Sequence, residues 1–317
     1  MSITPMPRPQ PADADPCLTF APVACACLSQ ARRRLGGALL GSGGLAIAAG
    51  LSLGLAAGPA QAEDAECKRS GFTMAVSAEQ VEQAAEQQYR QLLQQAQAQQ
   101  ALAPADNGQV QRLRYIAQRI IPFTPACNPR AQQWRWDVNL IGSKELNAFC
   151  MPGGKICFYL GILSKLQLDD DEVATIMGHE VAHALLEHAR ERMGKSMVTR
   201  GAIELGAALF GLGDLGRAGA GIGAQLLSLR FSRDDESEAD ALGLLLSARA
   251  GYKPAAGVTL WQKMMSANKG APPQWLSTHP SGDSRIREIE ARLERVRPDY
   301  ERAAKPNRRF GPPSLRG

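Results

Sequence analysis

Apolar side chains recur with a helical period through Val81, Ala84, Ala85, Tyr89, Leu92 and Leu93, and Ser77 followed three residues later by Gln80 supplies a start signal. A long helix is therefore predicted from Ser77. Its Gln-rich end at 94–100 reads as a solvated face, closed by the loop Ala103-Pro104-Ala105-Asp106-Asn107-Gly108. A second helix is predicted over 110–121 with Leu113, Ile116, Ile120 and Ile121 inward, ended by Pro122 and Pro125. The period then shifts to two. Residues 134–141 alternate apolar and polar side chains as a strand does, and 146–150 and 156–160 flank Pro152-Gly153-Gly154 as the arms of a hairpin. Asp169 to Glu172 then opens a further helix with a capping box and an acidic first turn, and Val173, Met177, Val181, Ala184 and Leu185 form its core stripe. Residues 201–229 are rich in Gly, Ala and Leu, but Glu204, Asp214 and Arg217 interrupt them. Two short amphipathic helices over the site are expected there, acting as a lid or as a peripheral membrane contact rather than a bilayer crossing. A charged helix is predicted over 284–296. The pattern as a whole predicts an α+β, predominantly α-helical domain with a small sheet just before its most apolar helix.

Composition changes the picture at the two ends. Arg32-Arg33-Arg34 precedes an apolar run at 35–58, followed by Ala60-Gln61-Ala62 and the acidic Glu63-Asp64. These are the parts of an export signal, and cleavage after Ala62 is expected, with a membrane anchor as the alternative reading and either the general or the twin-arginine route open. No lipobox precedes Cys67. The expected organisation is a removed segment at 1–62, one domain at 63–297, and a disordered Pro/Arg-rich tail at 298–317. Without residues 1–62, 32 basic and 29 acidic side chains remain, interspersed along the helices, which argues against a nucleic-acid partner. Four cysteines also remain, Cys67, Cys127, Cys150 and Cys157, an even number that permits disulfides in an exported protein. If Gly153-Gly154 is a two-residue turn, Cys150 faces Cys157 and the two can bridge; otherwise both are buried free thiols. Cys67 and Cys127 are the pair left by subtraction.

The chemistry lies in the apolar helix. His179-Glu180-x-x-His183 places two imidazoles four residues apart on one helical face, with a carboxylate beside them. This is what a hydrolytic zinc site needs: two nitrogen ligands and a base to take a proton from the attacking water. Glu236 is the best candidate for a third ligand. It shares a helix face with Asp240, so one can bind metal while the other supports a ligand histidine or an arginine, and Glu238 points about 160° away. His188, five residues beyond His183 and among charged neighbours, reads as a surface residue.

Taken with Asn147-Ala148-Phe149 before Pro152-Gly153-Gly154, Ser232-Arg233 before Glu236-x-x-x-Asp240, and His279-Pro280 with Arg285, the motif resembles the gluzincin metallopeptidases of family forty-eight, the HtpX, CAAX-prenyl endopeptidase and BepA–LoiP type. The resemblance spans roughly 75–295 and is greatest to the soluble periplasmic bacterial members. It implies a zincin-like fold, endopeptidase activity and one Zn2+ per chain. It further implies that His179, His183 and Glu236 bind the metal, that Glu180 is the general base, and that Asp240 paired with Arg285 supports the ligands. By the same resemblance Asn147, with Ala148 and Phe149, is the substrate-side strand, and His279 stands near the metal, either to stabilise an oxyanion or to occupy the open position at rest. Neither the multiple spanning helices of the membrane-embedded members nor a helical repeat array after Arg285 is expected from these residues. Misfolded or mis-assembled envelope proteins in the periplasm are the expected substrates. The alternative is a chaperone-like binding factor whose zinc site is occluded or non-catalytic.

Overall fold

The computed structural model describes residues 67–209, 226, 229–267, 274–279 and 283–314. Helix α1 (Ala78–Ala98) starts where the Ser77 hydroxyl accepts from the Gln80 amide, and it buries Val81, Ala85 and Tyr89 at one-turn intervals. The Tyr89 hydroxyl donates to the Ile156 carbonyl at 2.7 Å, which ties this helix to the sheet. Helix α2 (Gly108–Ile120) is capped by Asn107, and Leu113, Ile116 and Ile120 are completely buried along it. Pro122 and Pro125 do not end helical backbone at once. They fall in a 3-10 turn, Ile121–Ala126.

Three short strands follow, β1 (Asp137–Ile141), β2 (Ala148–Met151) and β3 (Lys155–Tyr159), in the spatial order β1-β3-β2. β1 runs parallel to β3, and β2 returns antiparallel and forms an edge. The register overturns the expected Cys150–Cys157 bridge. Met151 pairs with Lys155, so the turn has three residues, Pro152 to Gly154, and Cys157 faces Phe149 while Cys150 faces Ile156. One residue of slip sends the two thiols to opposite faces of the sheet, and both are free and buried. Gly154 permits the longer turn: its φ is +77°, and a Cβ there would sit 2.7 Å from the Trp136 ring. The remaining pair, Cys67–Cys127, is the disulfide, closing a separation of 60 residues.

Helix α3 (Leu160–Lys165) leads to α4 (Asp170–Leu185), all of whose side chains are buried. Asp169 and Glu172 form the predicted capping box, each carboxylate accepting from the other's amide at 2.9 Å. After a turn, α5 (His188–Leu209) follows, so residues 201–209 continue one helix; most of 210–229 lies outside the described residues. None of the described helices is long and apolar enough to cross a membrane. Helices α6 (Arg233–Arg249), α7 (Ala256–Ala267), α8 (Gln274–Thr278) and α9 (Asp283–Arg302) complete the domain.

The disordered tail expected from 298 onward is a further correction. α9 runs on through Arg302, and the chain beyond it packs across the start of α4. Phe310 N donates to Asp170 at 2.8 Å, Arg309 donates to Asp171 at 2.9 Å, and Tyr115 donates to Asn307 at 2.7 Å. Composition shows only that the segment cannot build a core of its own. The buried carboxylates of α4 supply acceptors that hold it in place.

Candidate metal centre

The two histidines of α4 depend on how closely α6 approaches. Gly178 and Gly243 meet where the helices cross, and a Cβ on Gly178 would lie 2.5 Å from the Gly243 carbonyl oxygen. This backbone-to-backbone contact carries the first turns of α6 over His179 and His183. Glu236 is 1% exposed, and its carboxylate oxygens lie 3.6 Å from His179 Nε2 and 3.4 Å from His183 Nε2. The two Nε2 atoms are 3.0 Å apart.

A fourth group closes the set. His279, just after α8, places Nδ1 2.9 Å from Glu236 Oε1 and 3.3 Å from His179 Nε2. One ligand atom from each of His179, His183, Glu236 and His279 lies within 4.8 Å of the others, and all four residues are buried. The donor set of imidazole nitrogens and one carboxylate suits zinc. The hydrogen bonds argue the same way. His179 Nδ1 meets Asp240 Oδ1 at 3.0 Å, an acceptor-only partner when ionised, so Nδ1 carries the proton and the Nε2 lone pair faces the centre. His183 also turns Nε2 to that point, 3.0 Å from His179 Nε2, where a cation would take up both lone pairs.

Charge is balanced around this point. Arg285 donates to Asp240 Oδ2 at 2.7 Å and to Oδ1 at 2.6 Å, and also to Glu236 Oε2, with the Trp261 ring 4.0 Å from its guanidinium carbon. Burial alone would raise the Asp240 carboxyl, but Arg285 and His179 outweigh it and hold it below the ordinary range. Burial likewise opposes ionisation of Glu236, and the neighbouring His279 and His183 overcome it. Burial lowers His183 well below the usual imidazole value. At His279 burial acts downward too, but Glu180 and Glu236 prevail and raise it.

Glu180 stands beside the ligand atoms, 3.6 Å from His279 Nε2, and accepts from the Trp275 indole N–H at 2.6 Å. Trp275 also stacks on His279, with ring centroids 4.9 Å apart. The i, i+4 spacing on α8 was a signal for this partner. Phe231 was likewise missed; it stacks on His183 with centroids 4.0 Å apart. A cleft of about 50 Å3 adjoins the centre and is lined by Asn147 to Pro152 of the edge strand and by Glu180, His183 and His279. The three expected substrate-strand residues, Asn147, Ala148 and Phe149, therefore border the same space as Glu180. A wider groove of about 670 Å3 runs along α1 and Arg130, and none of the site residues lines it.

His188 is not a surface residue. It is 1% exposed, and its Nδ1 lies 2.8 Å from His183 Nδ1. The helical count from His183 fails because α4 ends before it: Glu187 takes φ +59° and α5 begins a new phase at His188. No glycine or proline marks that break in the sequence.

Comparison with known proteins follows the same lines. The family model described as Peptidase family M48 matches residues 104–293. The chain is 40% identical over 150 residues to "Mitochondrial metalloendopeptidase OMA1" of Arabidopsis thaliana, a segment covering 47% of this chain and 30% of that protein. It is 29% identical over 195 residues to "Metalloprotease LoiP" of Escherichia coli (strain K12), covering 61% and 73% respectively. It is 28% identical over 169 residues to the "Beta-barrel assembly-enhancing protease" of Yersinia pestis, covering 50% and 35%. Against the first of these relatives, the match spans less than a third of the relative's length.

Proposed function

The chain belongs to Peptidase family M48, and from that premise we propose that it is a zinc-dependent endopeptidase of misfolded or mis-assembled envelope proteins. The observation that carries this reading is the convergence of His179, His183 and Glu236 on one buried point, with Glu180 next to it and an edge strand alongside. Those three residues would hold a zinc ion, which would supply the Lewis acidity that makes the attacking water easier to deprotonate. Glu180 takes the proton from that water and returns it to the leaving amine. Trp275 holds Glu180 Oε1 at 2.6 Å and so orients the second oxygen for transfer. The edge strand β2 offers main-chain groups for an extended peptide, which aligns the bond to be cut.

A cleft of about 50 Å3 is far below the roughly 300–1,000 Å3 of a ligand site, which supports a resting state in which His279 narrows the way to the centre. We read His279 as the group that fills the fourth position at rest. Location outside the cytoplasm is supported by the Cys67–Cys127 disulfide, a bond that persists in oxidising compartments, and the name of the Yersinia pestis relative supports envelope substrates.

Zinc content and cleavage of unfolded casein, measured on the protein from residue 63 onward, test the reading. Glu180→Gln retains one zinc and loses cleavage by at least about 100-fold; undiminished cleavage by that variant sinks the mechanism. The four-residue ligand group favours one rival, a chaperone-like factor with an occluded site. His279→Ala separates them, since cleavage rises if His279 merely silences a protease and stays absent if the protein only binds its clients.

A further inference from the structure

We propose that His188 is a positioning residue for His183, itself held by Glu238, so that each of the two histidines of α4 has its own supporting relay. The inference rests on the reading of His183 as a zinc ligand. One relay is already described: His179 Nδ1 donates to Asp240, which Arg285 holds. The other runs from His183 Nδ1 to His188 Nδ1 at 2.8 Å and from His188 Nε2 to Glu238 Oε2 at 3.2 Å.

The proton inventory admits one arrangement. His183 must present a bare Nε2 to the centre, so its proton sits on Nδ1 and is donated. His188 Nδ1 is then the acceptor, which places the His188 proton on Nε2, where it points at an acceptor-only carboxylate. Both nitrogens of His188 then have a partner of the right kind. Packing fixes the same geometry. Phe231 stacks on the His183 ring and His188 stands edge-on to it, 4.9 Å between centroids and 74° between planes. The φ of +59° at Glu187 is what turns the first residue of α5 back towards α4. Glu238, which faces away from Glu236 and Asp240 on α6, thereby reaches a different histidine of the same site.

A competing use of these atoms exists. His188, Glu191 and Asp235 are buried close enough together to hold a cation of their own. The two uses are mutually exclusive: in the relay His188 accepts at one nitrogen and donates at the other, which leaves no lone pair for such a cation.

The test compares His188→Leu, which approximates the volume but cannot accept, with His188→Gln, whose amide oxygen can. Zinc dissociation constant and stoichiometry are read by competition with a chromophoric chelator, alongside thermal unfolding of the metal-free protein. His188→Leu is expected to weaken zinc binding about 10–100-fold, and His188→Gln to recover most of that loss. Glu238→Leu, at a half-exposed position that tolerates substitution, is expected to weaken zinc several-fold, and it serves if His188→Leu does not fold. Wild-type zinc affinity in both His188→Leu and Glu238→Leu overturns the proposal, as does a His188→Gln no better than His188→Leu. So does a stoichiometry that falls from two to one in His188→Leu, since His188 then serves a separate cation. His183→Ala is the control: one zinc retained at full affinity there defeats the zinc-ligand reading itself, a different failure from that of the relay.

Discussion

The helix crossing at Gly243 offers a direct test of how the fold builds the centre. In Gly243→Ala the added Cβ would lie 2.6 Å from His179 N and 2.8 Å from both Gly178 C and His179 Cα, and ordinary contact begins at 3.4 Å. The obstacle is helix backbone on both sides, so no side chain can swing away and α4 and α6 must separate by about 0.8 Å. Overpacking of this kind costs about 1–3 kcal/mol, which for a domain of this size lowers the melting temperature by about 2–12 °C. The same displacement moves Glu236 away from both histidines, because α6 carries one and α4 the others. A misplacement near 1 Å reduces turnover about 100-fold, and zinc affinity falls with it. Thermal unfolding, zinc titration and kcat/KM on a quenched peptide measure the three effects. Gly108→Ala is the internal control: nothing lies within 4 Å of its Cβ, so it should be neutral or stabilise by up to about 1 kcal/mol. A Gly243→Ala protein with wild-type melting temperature and wild-type zinc affinity would refute the view that close approach of these backbones sets the ligand geometry.

Other outcomes follow from the packing. Cys67→Ser with Cys127→Ser opens a 60-residue loop and lowers stability by about 4 kcal/mol in the chain-entropy account, whereas Cys150→Ala with Cys157→Ala leaves the disulfide intact; denaturant titration and thiol counting check both. Asp170→Ala strands the fully buried Arg112 and is expected to cost about 3–5 kcal/mol, against under about 1 kcal/mol for Arg309→Ala, whose partly exposed pair with Asp171 is screened by solvent; equal losses would contradict the burial argument. Because the Asp240 carboxyl is held below its ordinary value, burial being outweighed by Arg285 and His179, its contribution to stability is complete above about pH 3.9 and is lost as the pH falls through the lowered folded value. Asp240→Asn should therefore flatten the acid limb of stability against pH in the metal-free protein, and an unchanged limb would count against that pairing.

What the sequence determined by itself is what local periodicity encodes. The spacing of Val81, Ala85 and Tyr89, the capping box at Asp169 and Glu172, and the four-residue step from His179 to His183 each act within one or two turns of helix, so they are legible without knowing what packs on them. Glu236 and Asp240 were legible as a pair for the same reason, and the family resemblance of the surrounding motifs supplied Arg285 and His279. The tertiary structure alone decided what depends on register, on breaks between elements and on partners far along the chain. A three-residue turn in place of a two-residue one sends Cys150 and Cys157 to opposite faces. A left-handed residue at Glu187 resets the helical phase and brings His188, which its charged sequence neighbours place on the surface, beside His183. The tail after Arg302 is ordered by carboxylates of α4 some 140 residues earlier in the chain. In each case the deciding energy comes from groups distant in sequence, which no local pattern records.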